Sequence, residues 1–187
     1  TTIFTNNTAT GNYSGGAIYA DSGSLTIDKC TFQSNTGPWG GGAIRSNNGN
    51  SLTITGTLFK SNTTNNYYGG AVYSVSSTLI VINSVFNSNN TGLTGSHGGA
   101  IYIQGTQDDI IVNSTFFNNG TGSWIGAVYS TATTNMYLYN CIFFQNKGTA
   151  VSAVGGGTVV AYNNAWDDGE TCTGSVALTS SPFVSTT

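Results

Sequence analysis

A Phe-x-x-Asn mark falls six times along this chain, at Phe4/Asn7, Phe32/Asn35, Phe59/Asn62, Phe86/Asn89, Phe116/Asn119 and Phe143/Asn146. Successive Phe positions lie 28, 27, 27, 30 and 27 residues apart. A second mark, Gly-Gly-Ala-aliphatic, stands at Gly15-Gly16-Ala17-Ile18, Gly41-Gly42-Ala43-Ile44, Gly69-Gly70-Ala71-Val72 and Gly98-Gly99-Ala100-Ile101. It decays to Ile125-Gly126-Ala127-Val128 and Gly148-Thr149-Ala150-Val151. A period this regular requires stacked repeats, because one such unit cannot bury its apolar face alone.

The repeat from Gly15 to Asn35 shows the unit. Gly15 to Tyr19 reads as a first strand, Asp21-Ser22-Gly23 as a turn, and the alternating Ser24-Leu25-Thr26-Ile27 as a half-buried second strand. Asp28-Lys29 makes a corner, Cys30-Thr31-Phe32 a third strand, and the Asn35 region the last corner. Three short strands and three corners make one coil of a parallel β-helix. The expectation is an all-β, single-domain solenoid over residues 1–187, with about seven coils of ~27 residues. Regular coils occupy 1–166, and 167–187 form an irregular last coil or cap. The start at Thr1, inside a repeat, predicts a missing upstream segment or an end that meets a partner.

Alternation assigns the faces. The aliphatics Ile18, Ile44, Val72, Ile101, Val128 and Val151 point inward with the Phe column, which Trp166 continues. The next column, Tyr19, Arg45, Tyr73, Tyr102, Tyr129 and Ser152, points outward, because an Arg is rarely buried. Small residues two before Phe, namely Cys30, Thr57, Ser84, Ser114 and Cys141, share the Phe face. The Asn column is expected to take the left-handed backbone of a corner. It is also expected to form a structural ladder of Asn7, Asn35, Asn62, Asn89, Asn119 and Asn146, each amide donating to the next coil.

Charged residues are only 6% of the chain, and its net charge is −3. Four basic residues, Lys29, Arg45, Lys60 and Lys147, form no patch for a phosphate backbone, so nucleic acid is not an expected partner. No apolar run has the length of a membrane span. The acids Asp21, Asp28, Asp108, Asp109, Asp167, Asp168 and Glu170 do not recur on one wall of adjacent coils. Asp108-Asp109 reads as part of a turn. No catalytic residue and no cofactor are expected, since glycoside hydrolysis needs two carboxylates flanking the bond. Asp167, Asp168 and Glu170 are the best metal candidates, set against a solvated turn, because Ca²⁺ wants more oxygen ligands than three side chains supply.

His97 reads as a surface loop residue. Cys30 and Cys141 lie four coils apart, roughly 19 Å by the strand spacing, and cannot bridge each other. Both read as buried fillers, with Cys172 in the C-terminal loop. Asn12, Asn6 and Asn113 head Asn-x-Ser/Thr sequons open to glycosylation, whereas Asn62, Asn89 and Asn119 belong to the ladder. The outward Tyr19, Tyr73, Tyr102 and Tyr129, beside Ala17, Ala43, Ala71, Ala100, Ala127 and Ala150, form a flat surface strip. Such a strip can pack on a protein or stack on sugars, or it can simply brace one coil against the next.

The pairing of Gly-Gly-Ala-[Ile/Val] with Phe-x-x-Asn in one repeat resembles the polymorphic outer membrane protein repeat, and more broadly the right-handed parallel β-helix proteins of bacterial surfaces. The resemblance covers roughly residues 1–166. It implies a surface-exposed passenger domain, adhesin or secreted structural protein, and the lack of a catalytic cluster in an ordered, low-charge repeat makes the expectation a non-enzymatic, extracellular or cell-surface structural or adhesive protein. With the open repeat at Thr1, the expected partners are further copies joined end to end as a filament, or surface glycans. The alternative is a carbohydrate-binding or polysaccharide-processing β-helix, and a third reading is ice binding through outward Thr residues.

Overall fold

Stacking in register is what the repeat dictates, and every named strand pairing is parallel. The computed structural model describes residues 1–12, 15–93, 95–121, 125–167 and 176–177. The Phe marks lie on an eight-stranded sheet that runs from Ile3–Thr5 to Val176–Ala177. A ten-stranded sheet carries the first and second strands of each coil, and a three-stranded sheet follows the Asn corner at Thr36–Gly37, Thr63–Thr64 and Asn90–Thr91. Among the described residues, complete coils begin at Ile18, Ile44, Val72, Ile101, Val128 and Val151, six where the repeat predicts about seven. The outermost strands, Ile3–Thr5 and Val176–Ala177, have no partner strand of their own coil on the ten-stranded sheet among the described residues.

The expected first and second strands are continuous in the first two coils, as Ile18–Asp28 and Ile44–Thr55, bent by a register shift at Gly23/Ser24. They separate later, for example into Val72–Val75 and Thr78–Ile82.

The Phe column fills the core. Ring centroids of Phe4, Phe32, Phe59, Phe86, Phe116, Phe143 and Trp166 follow one another at 4.4 to 5.0 Å, with planes within 9° of parallel. That separation is the strand spacing of a sheet, so the backbone imposes the stack on the rings.

Beside it runs the Asn ladder. Asn62 Nδ2 donates to Asn89 Oδ1 at 2.9 Å and to the Phe32 carbonyl at 2.9 Å. Asn62 Oδ1 accepts from the backbone N–H and the Nδ2 of Asn35, at 3.0 and 2.9 Å. The same pattern joins Asn7 to Asn35, Asn89 to Asn119 and Asn119 to Asn146. The ladder residues are not themselves left-handed. The positive φ belongs one position earlier, to Asn6, Ser34, Ser61, Ser88, Asn118 and Gln145. The bend is made before Asn, which frees Asn to point inward and bridge three coils.

A second ladder occupies the opposite corner, where only small fillers were expected. The backbone N–H of Thr57 donates to Ser84 Oγ, that of Ser84 to Ser114 Oγ, and that of Cys141 to Asn164 Oδ1. Each hydroxyl also donates back to a carbonyl two residues earlier, as Ser84 Oγ does to Ile82. Cys141 is buried and Cys30 half-buried, and both are free thiols. Cys172 lies outside the described residues.

The Ala column is a correction. Ala43, Ala71, Ala100 and Ala127 are fully buried and belong to the core, not to an outward strip. The cause is a pivot in the ladder: the N–H groups of Ala43 and Ile44 both donate to the Ala71 carbonyl, and those of Ala71 and Val72 to Ala100. Two successive amides on one carbonyl break the alternation, so Ala and the following aliphatic both turn inward. Gly70 fits this corner because a Cβ there would come within 2.1 Å of the Gly99 carbonyl oxygen and 2.4 Å of the Asn90 nitrogen.

Asn62→Ala would strand a buried backbone N–H on Asn35 and a buried carbonyl on Phe32. The expected loss is about 2–5 kcal/mol in urea unfolding. Asn146→Ala, at the half-buried end of the described ladder, should cost clearly less. Equal and small losses at both positions would show that the ladder does not hold the coils in register.

Candidate functional site

The outward column of the first strand is not the bare strip that alternation predicts. Tyr19 is 45% exposed, but Tyr73 and Tyr102 are each 5% exposed and Arg45 is 7% exposed. The covering comes from the loops between the Asn corner and the Gly-Gly mark. These loops carry Trp39, Tyr67, Tyr68 and His97 back over the ten-stranded sheet.

The result is a shelf two aromatic layers deep. In the inner layer, Tyr73 and Tyr102 stack at 4.9 Å. Tyr68 stacks on Tyr102 at 4.7 Å, and His97 on Tyr129 at 4.3 Å. The Arg45 guanidinium sits 4.7 Å from the centre of the Tyr73 ring. It also donates to the Trp39 carbonyl at 2.7 Å and to Asn47 Oδ1 at 3.2 Å, which fixes the backbone of the Trp39 loop. Gly40 leaves room for this, since a Cβ there would meet the Tyr73 ring at 3.1 Å. The outer layer is Trp39 and Tyr67, 37% and 39% exposed, with centroids 5.6 Å apart and planes tilted by 44°. Tyr67 packs against Tyr68 at 4.7 Å and edge-on to Tyr73 at 6.3 Å.

One edge of the shelf is polar. Asn47 Nδ2 donates to the Tyr19 hydroxyl, the Tyr73 hydroxyl donates to Gln104 Oε1 at 3.5 Å, and the Tyr102 hydroxyl pairs with Thr131 Oγ1 at 3.1 Å. Burial pushes the Tyr73 hydroxyl up to about 12 and raises Tyr102 and Tyr129 as well. Burial lowers His97 and so favours its neutral imidazole. The outer rings were not singled out from the sequence, although a signal exists: an aromatic residue stands just before the Gly-Gly mark at Trp39, Tyr67 and Tyr68.

The other candidate residues are scattered. Asp109 is not in a turn but on the strand Asp109–Val112, 1% exposed, in the core column held by Leu79 one coil earlier and Met136 one coil later. Its Oδ1 accepts from the Leu79 backbone N–H at 2.8 Å. Asp108 is exposed and accepts from the Asn135 N–H. Asp167 accepts from the Gln145 N–H at 2.6 Å, while Asp168 and Glu170 lie outside the described residues. No cluster of three metal-ligating side chains occurs among the described residues. Asn6, Asn12 and Asn113 are exposed; Asn6 and Asn113 occupy left-handed corners, and Asn12 is followed by two residues outside the described set. The outward Thr column of the second strand stops after Thr26 and Thr53, which are followed in register by Ile80 and Ile110, so no Thr array extends along that face.

The family described as a right handed beta helix region matches residues 1–166. Over 173 residues the chain is 33% identical to "Probable autotransporter YfaL" of Escherichia coli (strain K12), covering 80% of this chain and 14% of that protein. Over 150 residues it is 27% identical to "Metabotropic glutamate receptor-like protein R" of Dictyostelium discoideum, covering 78% of this chain and 9% of that protein. The chain thus spans a small part of each relative. No solved structure matches it.

Desolvation raises the Asp109 carboxyl from the ordinary 3.8 to about 7, offset in part by the Leu79 N–H. The folded state therefore holds this proton more tightly than the unfolded chain does. Stability from this group is present near pH 4 and is lost as pH rises to about 7, by on the order of 4 kcal/mol. Asp109→Asn keeps the shape and the acceptor, so its urea stability should match the wild type near pH 4 and exceed it at pH 8. A wild-type profile that is flat between these values would refute the assignment.

Proposed function

The chain belongs to the right-handed β-helix family, and from that premise we propose that it is part of a surface-displayed, non-enzymatic protein that adheres through the side of its shaft. The observation that carries this reading is the layered shelf of Trp39, Tyr67, Tyr68, Tyr73 and Tyr102. Every other strongly repeated letter serves stacking: Phe fills the core, Asn and the hydroxyls form ladders, and Gly and Ala form the pivot. The residues that cover Tyr73 and Tyr102, namely Trp39, Tyr67 and Tyr68, are non-repeating loop residues that stacking does not require. The similarity to an autotransporter supports display at the surface.

The described carboxylates favour this over catalysis. Asp21 and Asp28 are exposed at different places on one coil, Asp108 is exposed on another coil, and Asp109 is sealed in the core. None stands opposite another across the shelf.

Beads coated with the chain are expected to adhere to at least one of bacterial, fungal-wall and epithelial cell surfaces, above beads coated with serum albumin. Adhesion no stronger than the albumin control on all three would overturn the adhesive reading.

A further inference from the structure

The question left by an adhesive shaft is what chemistry its shelf would recognise, and the inference drawn here rests on that adhesive reading. We propose that the outer rings Trp39 and Tyr67, with the polar edge of Asn47 and Gln104, form a subsite for a neutral hexopyranose glycan.

Four observations point to this class. The first is area. Two aromatic side chains of ~150–250 Å² each, at 37% and 39% exposure, present together on the order of 150 Å². A stable protein partner buries ~800 Å² on each side, so these rings are too small a platform for one. They are the right size for a sugar ring, whose axial C–H groups carry partial positive charge and meet the negative face of an aromatic ring.

The second is the edge. Asn47, which also accepts from the Arg45 guanidinium that pins Trp39, bonds the Tyr19 hydroxyl, and Gln104 accepts from the hydroxyl of Tyr73, the ring on which Tyr67 packs edge-on; both amides donate and accept. Sugar hydroxyls also donate and accept, and such an edge can orient them without a net charge.

The third is charge. The shelf's one cation, Arg45, is 7% exposed, and it spends its donors on Trp39 and Asn47 while lying over Tyr73. It stiffens the shelf from below and does not present a surface charge to an anionic polymer. Of the acids among the described residues, the exposed Asp21 lies near this edge, paired with Asn48.

The fourth is rigidity. Tyr67 rests on Tyr68 and Tyr73, both of which rest on Tyr102, and the Trp39 carbonyl is pinned by Arg45. Binding would therefore order few new side chains. The outer rings stand 5.6 Å apart with planes tilted by 44°, so together they offer two differently oriented faces to one sugar chain.

The test is affinity gel electrophoresis of the whole chain in gels cast with a β-1,4-glucan, a β-1,3-glucan, an α-mannan, a β-1,4-galactan or the acidic polymer alginate. At least one neutral polymer should retard the wild type, and alginate should not. The double variant Trp39→Ala/Tyr67→Ala should weaken that retardation by about tenfold or more. Trp39→Phe/Tyr67→Phe, which keeps both rings and guards against misfolding of the Ala pair, should keep most of it. Tyr139→Ala, on the second strand of its coil and outside the shelf, should change nothing. The proposal fails if no neutral polymer retards the chain, if only alginate does, or if the Ala pair binds as well as the wild type. Bead adhesion that persists with the Ala pair, and in excess glycan, would leave the adhesive reading standing and remove the sugar. Glycan retardation without bead adhesion would do the reverse.

Discussion

The strand spacing of a parallel sheet is the constraint on which the rest of this molecule depends. Each coil repeats its predecessor one strand spacing along, so every position meets its own equivalent above and below. A residue type survives in such a column only if it tolerates itself as a neighbour. Phe does, because flat rings stack at the spacing the backbone sets, as the 4.8 Å steps from Phe59 to Phe86 and on to Phe116 show. Asn does, because its amide has both a donor and an acceptor and can close a chain of bonds with copies of itself. Ser and Thr do so at the other corner with a single hydroxyl. A charged column would fail the same test, since like charges one spacing apart repel, which accounts for a chain with only 6% charged residues.

Self-tolerance also explains what was legible in the sequence. The β-helix, the Phe core, the Asn ladder and the inward aliphatics follow from letters that recur at fixed offsets. The misplaced features all depend on where the backbone turns rather than on which letter recurs. The left-handed position sits one residue before Asn, where Ser, Asn and Gln are mixed, so no letter marks it. The Ala column reads as outward under strict alternation, but a shared carbonyl at each Ala pivots the strand and turns it inward. Asp109 reads as part of a turn because it stands beside a second acid in the longest repeat. Only the register with Leu79 and Met136 shows that it fills a core position.

The shelf was half legible for a related reason. Its inner layer lies on the repeat, so Tyr73, Tyr102 and Tyr129 stand out as a column. Its outer layer lies on loops of unequal length, where Trp39 and Tyr67 occupy matching places without a matching letter. Alternation could tell that the tyrosines face away from the core, but not that a loop lies over them.

This division has a consequence for where recognition can evolve in a solenoid. A substitution in a stacked column touches two neighbouring coils at once, so each change must suit three levels of the rod. Asp109 shows the cost: one carboxyl in a column of Leu and Met is held near neutrality by desolvation, with a single backbone N–H to offset it. The loops after the Asn corner answer to no such rule, because they are anchored at the ladder and at the Gly-Gly pivot and are otherwise free in length. Gly40, Tyr68 and His97 occupy the same place in successive coils yet share no chemistry, and each is accommodated by the ring beneath it. The rigid column beneath gives these loops a flat aromatic floor to pack on, so binding chemistry can change there while the coils keep their register.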